Sequence, residues 1–192
     1  SAGRVIDASG LTVSPGFIDV HGHSDYTLLV DGTAQSKVRQ GVTTEILGEA
    51  PSAGPIKGKA TLDLSQYGLE VNWGTLGEYF ARLQKGGISI NVGSYVGATQ
   101  VRTCVLGLDS REPTVAELEE MKRLVEEAML DGAFGLSSSL IVPPDTYLTT
   151  SQLIELAKTV KPYGGLYSTH IRGEGNTIRE AILEAIEIGE EA

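Results

Sequence analysis

The chain has 192 residues and is 41% hydrophobic, which is enough for one sizeable core and makes a single main domain the default. A net charge of −10 argues against nucleic acid or an anionic membrane surface as a partner. One cysteine cannot form an internal disulfide, no apolar run approaches membrane-spanning length, and no signal-peptide pattern opens the chain.

The first elements predicted along the chain are two short strands. Residues 4–7 and 11–13 are separated by Ser9-Gly10, a composition typical of a hairpin. We therefore expect residues 1–13 to be the remnant of a small β domain and residues 14–192 to form the main domain. Since the hairpin resembles the tail of an earlier strand pair, we expect the native amino terminus, with any leader, to be missing.

The next predicted strand, residues 16–21, runs into His21-Gly22-His23. Alternate residues of a strand project to the same face, so His21 and His23 would direct both imidazoles at one point. The carboxyl ends of buried parallel strands are where α/β folds place their chemistry. Two converging imidazoles suit a divalent transition metal such as zinc. The alternative for this short motif alone is a pair of structural or surface histidines.

The rest of the chain alternates strand and helix signals. Further strands are predicted at residues 42–47, 88–92, 133–137 and 166–170. A short helix is predicted at 33–40, and the pairs Thr75/Glu78, Thr114/Glu117, Thr149/Gln152 and Thr177/Glu180 mark four further helix starts. Repeated β-α units imply a parallel sheet with right-handed crossovers. After the second strand, about 25 residues lack periodicity, and loops of that length are usually functional or mobile.

Five strand-helix units are too few to close an eight-stranded barrel. The pattern alone therefore leaves two architectures open, a piece of a larger barrel or an open five-stranded α/β domain.

Several stretches resemble the N-acyl-D-amino-acid deacylase (D-aminoacylase) branch of the amidohydrolase superfamily. They are residues 15–25, 41–44, 91–97, 131–138 and 164–174, with Arg102 and Gly107. The resemblance implies an α/β fold, a partial (β/α)8 TIM-type barrel of about the first five βα units, preceded by remnant strands of a small β-sandwich domain. It favours the piece of a barrel over the open domain.

The resemblance also implies a metal site. His170 matches the fifth-strand metal ligand of the family, so His21, His23 and His170, the three histidines of the chain, all fall at ligand positions. The family places a cysteine after the second strand, where this chain has Ala50 next to Glu49. We expect the Glu49 carboxylate to replace it as a bridging ligand, and the alternative is a solvent-exposed loop glutamate. Cys104 is expected to be a buried spacer.

Two further side chains are candidates for catalytic roles. Asp25 is expected to orient a ligand histidine, with capping of the next turn as the alternative. Arg172 is expected to reach the substrate carboxylate, with an ion pair to Glu174 as the alternative.

The resemblance implies an enzyme acting on non-peptide C–N bonds. The expected reaction is metal-dependent hydrolysis of N-acyl-D-amino acids to a D-amino acid and a carboxylate, with one or two Zn²⁺ ions. The alternatives are a dihydroorotase-like or hydantoinase-like hydrolase and a non-catalytic metal-binding fragment. A small-molecule substrate is the expected partner, without nucleic acid or membrane, and homo-oligomerisation stays open. A cytoplasmic location is expected, with a periplasmic or secreted one left open. The 192 residues alone are expected to be inactive, because the family's sixth-strand histidine and eighth-strand aspartate are absent.

Overall fold

The computed structural model describes residues 3–192 and contains two three-stranded parallel sheets. The first sheet has the order β1-β2-β3 and the second has the order β4-β5-β6. The strands are β1 (Phe17–Asp19), β2 (Val42–Leu47), β3 (Asn91–Ser94), β4 (Val96–Gly97), β5 (Gly135–Ser139) and β6 (Leu166–His170). Apart from the direct passage from β3 to β4, neighbouring strands in sequence are joined by crossovers that carry helices, as parallel pairing requires.

The helices of this part of the chain lie between successive strands, except for the last one, which follows β6. They are α1 (Thr27–Val30), α2 (Gln35–Val38), α3 (Leu76–Gly86), α4 (Ala98–Leu106), α5 (Val115–Leu130), α6 (Thr150–Val160) and α7 (Ile178–Glu191), with short 3₁₀ turns at Ser65–Tyr67, Asp145–Tyr147 and Lys161–Tyr163. None of the helices in residues 3–192 combines the length and the apolarity needed to cross a membrane.

One residue, Tyr95, separates the two sheets. The backbone N–H of Tyr95 donates to the carbonyl of Leu47 (2.9 Å), and that of Phe134 donates to the carbonyl of Ser94 (2.9 Å). These bonds continue the hydrogen-bonded run of strands across the break between β3 and β4. All strand ends that carry candidate site residues therefore belong to one continuous scaffold.

The core lies between this run of strands and the longer helices. Helices α3, α5 and α6 each bury one face, represented by Tyr79, Met121 and Leu153. Burial of a large apolar side chain stabilises a fold by about 1.5–3 kcal/mol, so these faces fix the helices against the strands. The helical stripe predicted for α5 is confirmed, since Met121, Val125 and Met129 are buried.

The capping signals predicted three helix starts correctly. Thr75, Thr114 and Thr149 each accept a hydrogen bond from the backbone three residues later and form the reciprocal bond of a capping box. Helix α7 also begins after Thr177 as predicted, but its side chain makes no capping bond.

Strand bounds were predicted well at β2 and β6 and less well at β3 and β5. Strand β3 begins at Asn91, three residues after the predicted start. Strand β5 begins at Gly135, two residues after the predicted start. The backbone N–H of Ala133 still donates to the carbonyl of Ala128 at the end of α5 (2.9 Å), so the helix end occupies the first predicted strand residues.

The predicted amino-terminal hairpin is wrong for the residues described. Residues 4–13 contain a turn, closed by a bond from the N–H of Leu11 to the carbonyl of Ala8 (3.0 Å), but no strand. Val5, Ile6, Leu11 and Val13 are all exposed, and a two-stranded hairpin without a packed face is marginal in water. The division of the chain at residue 13 stays a prediction.

Candidate metal centre

Three predicted ligands converge at the carboxyl ends of strands. His21 lies two residues beyond β1, Glu49 lies two residues beyond β2, and His170 ends β6. One ligand atom from each of these three residues lies within 4.8 Å of the other two. His23 lies beside this group, with its Nε2 3.1 Å from Nε2 of His21.

The convergence requires the run of strands to curl. Strands β1 and β6 are separated by four strand spacings, which would be about 19 Å in a flat sheet. The imidazole rings of His21 and His170, at the ends of these strands, nevertheless have centroids 5.0 Å apart. The curl therefore brings the carboxyl ends of β1 and β6, with their histidines, close together.

Glu49 is the buried member of the group. Its Oε2 lies 3.7 Å from Nδ1 of His21, and its Oε1 lies 3.8 Å from Nε2 of His170. Glu49 is 5% exposed, whereas the side chains of His21 and His170 are 43% and 38% exposed. The alternative of a solvent-exposed loop glutamate is therefore wrong. Each oxygen of the Glu49 carboxylate faces a different imidazole, and its role as a bridging metal ligand stays a prediction.

An unusual turn directs Glu49 towards the histidines. Gly48 and Ala50, on either side of Glu49, both have positive φ angles, +81° and +63°. A side chain at Gly48 would lie 2.3 Å from the carbonyl oxygen of Tyr95, so only glycine fits there. The hydroxyl of Ser137 in β5 donates to the carbonyl of Gly48 (2.5 Å) and ties the turn to the second sheet.

Ala50 keeps a left-handed conformation that disfavours every side chain with a Cβ atom, at a cost of about 1–2 kcal/mol per residue. We expect Ala50→Gly to raise the free energy of unfolding by about 1 kcal/mol, because glycine removes this strain. Ala50→Val should lower it, since a β-branched residue suits positive φ still less. Urea unfolding of the three proteins measures both effects, and an Ala50→Gly protein less stable than the parent would contradict the assignment.

Asp25 lies two residues after the histidine segment, which is residues 21–23. Its side chain is buried, its Oδ1 has no hydrogen-bond partner, and its backbone carbonyl accepts from the Tyr79 hydroxyl (2.6 Å). Burial raises the pKa of Asp25 to about 7, and the charge of Glu45 contributes to the shift. Helix α1 has no side-chain cap, so the capping alternative for Asp25 is wrong. The described hydrogen bonds do not join Asp25 to a histidine, and its orienting role stays a prediction.

Arg172 is engaged by other protein groups. Its Nε and Nη2 donate to the carboxylate of Glu184 (2.9 and 2.8 Å), and its Nη1 and Nη2 donate to the carbonyls of Thr146 and Leu148 (3.2 and 2.9 Å). The alternative ion pair with Glu174 is therefore wrong, because the partner is Glu184. These contacts clamp the loop after β5 to helix α7, and a role at the substrate stays a prediction.

One family profile and several known enzymes are similar to this chain. The amidohydrolase family profile matches residues 4–62. The chain is 36% identical over 190 residues to D-aminoacylase of Alcaligenes xylosoxydans xylosoxydans. The aligned region covers 97% of this chain and 39% of that enzyme. Over nearly its whole length, the chain is similar to this D-aminoacylase.

Solved structures of amidohydrolases show the same similarity. A crystal structure of D-aminoacylase matches 92% of this chain and 38% of its own, with a TM-score of 0.83 and 31% identity. An N-acyl-D-glutamate deacylase from Bordetella bronchiseptica, complexed with zinc and a phosphonate inhibitor, matches 91% of this chain and 38% of its own, with a TM-score of 0.82 and 32% identity. This chain therefore spans well under half the length of the relatives it matches.

The chain also contains buried contacts near the site that the sequence did not indicate. Asp145, fully buried, accepts a hydrogen bond from the N–H of Ser139 (2.7 Å), the residue that pairs with His170 across β5 and β6. Burial raises the pKa of Asp145 to about 6, although the bond from Ser139 lowers it. Asp145 belongs to no local motif, and nothing in the stretch 131–138 indicates the bond from Ser137 to Gly48, so only the folded chain identifies these contacts.

The raised pKa of Asp145 predicts a loss of stability between about pH 4 and pH 6. Over this range the folded protein keeps a proton on Asp145 that the unfolded chain releases, so the free energy of unfolding falls as the pH rises. A shift from 3.8 to about 6 corresponds to at most about 3 kcal/mol. Asp145→Asn should remove this part of the pH dependence, measured as the difference between two urea-unfolding series. Parallel pH profiles for the two proteins would contradict the prediction.

Proposed function

We propose that this chain forms part of the active site of a metal-dependent hydrolase that cleaves the amide bond of N-acyl-D-amino acids. The products are a D-amino acid and a carboxylate. The observation that carries the proposal is the convergence of His21, Glu49 and His170 at three strand ends. Imidazole nitrogen and carboxylate oxygen are ligands that Zn²⁺ prefers, so the donor set fits one or two zinc ions.

We also infer that residues 14–192 form about the first five βα units of a (β/α)8 barrel. Support comes from the curl of the strands, which brings the first and the last of them to one mouth. Active sites of such barrels lie at the carboxyl ends of the strands, where the four predicted ligands are.

Zinc bound here would lower the pKa of a water and polarise the amide carbonyl. Four side chains of this chain would hold the zinc. His21 and His23 would bind from one side, His170 from the other, and Glu49 between them. The backbone fixes His170 further, because its carbonyl accepts from the N–H of Leu140 (3.0 Å). By family resemblance, the proton-transfer aspartate and a further histidine come from later strands.

The dihydroorotase-like and hydantoinase-like alternatives are less well supported. By resemblance, those enzymes bridge their metals with a lysine on the strand that corresponds to β5. Strand β5 consists of Gly135–Ser139 and contains no lysine.

The proposal is tested on the full-length protein with His170→Asn as the variant. The parent should bind zinc and release amino acids from N-acetyl-D-amino acids, with much less release from the L-forms or from hydantoins. His170→Asn should abolish turnover with a melting temperature close to that of the parent, because the residue is partly exposed. Unchanged zinc content and activity in the variant would remove His170 from the site. A zinc-loaded parent without hydrolase activity would favour the non-catalytic reading.

A further inference from the structure

An ion pair with one fully buried partner, Glu45, lies next to the histidine segment, residues 21–23. Glu45 of β2 is 0% exposed, and its Oε1 lies 3.1 Å from Nζ of Lys37 in α2. The same ammonium group contacts Oδ2 of Asp19 at 2.5 Å, and Asp19 pairs with Glu45 across β1 and β2. Apart from this contact with Lys37, the oxygens of Glu45 have no hydrogen-bond partner among the residues described.

The Glu45 carboxylate packs directly against the backbone of Gly22, the residue between His21 and His23. A Cβ atom at Gly22 would lie 2.0 Å from Oε1 of Glu45 and 2.5 Å from its Cδ and Cγ. The N–H of Gly22 donates to the carbonyl of Ile46 (2.9 Å), which holds the two backbones together.

Lys37 also binds a second carboxylate that contacts the histidine segment. It holds Asp19, whose Oδ1 accepts from the N–H of His21 (3.2 Å). Glu45 and Asp19, both held by Lys37, therefore contact the histidine segment at two successive residues, Gly22 and His21.

Burying a charged carboxylate costs free energy. Burial removes its hydration, and well-packed apolar residues of similar volume are often as stable or more stable. Stability alone therefore does not account for the fully buried Glu45 carboxylate, and its direct contact with Gly22 points to a geometric role. We propose that Glu45, held by Lys37, is a positioning residue. By packing against Gly22, it sets the position of the backbone between His21 and His23 and so the direction of their imidazoles. This proposal rests on the proposed metal site.

The test uses the full-length protein and four variants. Gly22→Ala adds a methyl group against Glu45, Glu45→Gln keeps the shape and removes the charge, and Gly22→Ala/Glu45→Ala makes room for the methyl group. Gly86→Ala is the control, because a Cβ atom there meets no atom within 4 Å. Zinc affinity is measured by chelator competition, and the visible spectrum of the Co²⁺-substituted protein reports ligand geometry.

We expect Gly22→Ala and Glu45→Gln to lower zinc affinity by about 10–100-fold, the range typical of residues that orient metal ligands. Both should alter the Co²⁺ spectrum, while Gly86→Ala should change neither measurement. The double variant should bind zinc more tightly than Gly22→Ala alone, because the collision is removed. Melting temperatures of all proteins are recorded in parallel.

Two results would overturn the positioning role. One is parental zinc affinity and a parental Co²⁺ spectrum in both Gly22→Ala and Glu45→Gln. The other is an unaltered spectrum with affinity losses that follow the melting temperatures, which would make the ion pair purely structural. A parent protein that binds no zinc would overturn the proposed function itself, and this inference with it.

Discussion

Exchanging Glu49 for glutamine is expected to lower zinc affinity by more than the roughly 10–100-fold that outer-sphere partners typically contribute. The two oxygens of Glu49 face different imidazoles, His21 and His170, at 3.7 and 3.8 Å. A glutamine keeps the volume but carries no charge, and it offers one oxygen and one N–H₂ group, which cannot bind a cation. The loss is measured by chelator competition and by the zinc content of the purified full-length protein.

Cys104→Ser is the matched control for this prediction. Cys104 is the one cysteine of the chain and lies buried in α4, where its sulfur contacts the carbonyl of Pro55 (3.4 Å). A serine hydroxyl can make the same contact, so zinc content and activity should stay close to those of the parent. An inactive but folded Cys104→Ser protein, beside an active Glu49→Gln protein, would reverse the assignment of the two residues.

Local patterns explain which parts of the structure were predictable. Strand β2 is rich in β-branched residues. It follows Gly41, whose φ of +79° ends the preceding helical turn. The bounds of β2 are therefore encoded by residues nearby in the chain. The capping boxes at Thr75, Thr114 and Thr149 are equally local, and all three form. The four candidate ligands were predicted because histidines are few and lie at strand ends, and because the resemblance placed Glu49 beside the expected ligand position.

Features that depend on distant contacts were not predictable. The hydroxyl of Ser137 supports the Glu49 turn from 89 residues away, and Lys37 reaches Glu45 from another element. Helix α4 was missed because it follows β4 directly from Gly97 with no side-chain cap. The ion pair of Arg172 with Glu184 was missed because nothing in the sequence distinguishes Glu184 from the other acidic residues of α7.

Gly97→Ala is expected to destabilise the protein severely. A Cβ atom at Gly97 would lie 1.7 Å from the carbonyl oxygen of Ala50 and 3.1 Å from the backbone nitrogen of Ser52. Both are backbone atoms of the Glu49 loop, so no side-chain rotation relieves the collision. The N–H of Gly97 also donates to the hydroxyl of Ser52 (3.0 Å), and displacement of the loop would stretch this bond.

We expect the free energy of unfolding to fall by about 3 kcal/mol or more, at or above the upper end of the usual cost of overpacking. Zinc affinity should fall as well, because Glu49 lies one residue before the displaced carbonyl group. Gly86→Ala is the control, since its Cβ atom would meet open space at the end of α3, and alanine there should be neutral or stabilising by about 0.5–1 kcal/mol. Urea unfolding and chelator competition measure the two effects. A Gly97→Ala protein with the stability and zinc affinity of the parent would show that the Glu49 loop does not rest on β4 as the structure describes.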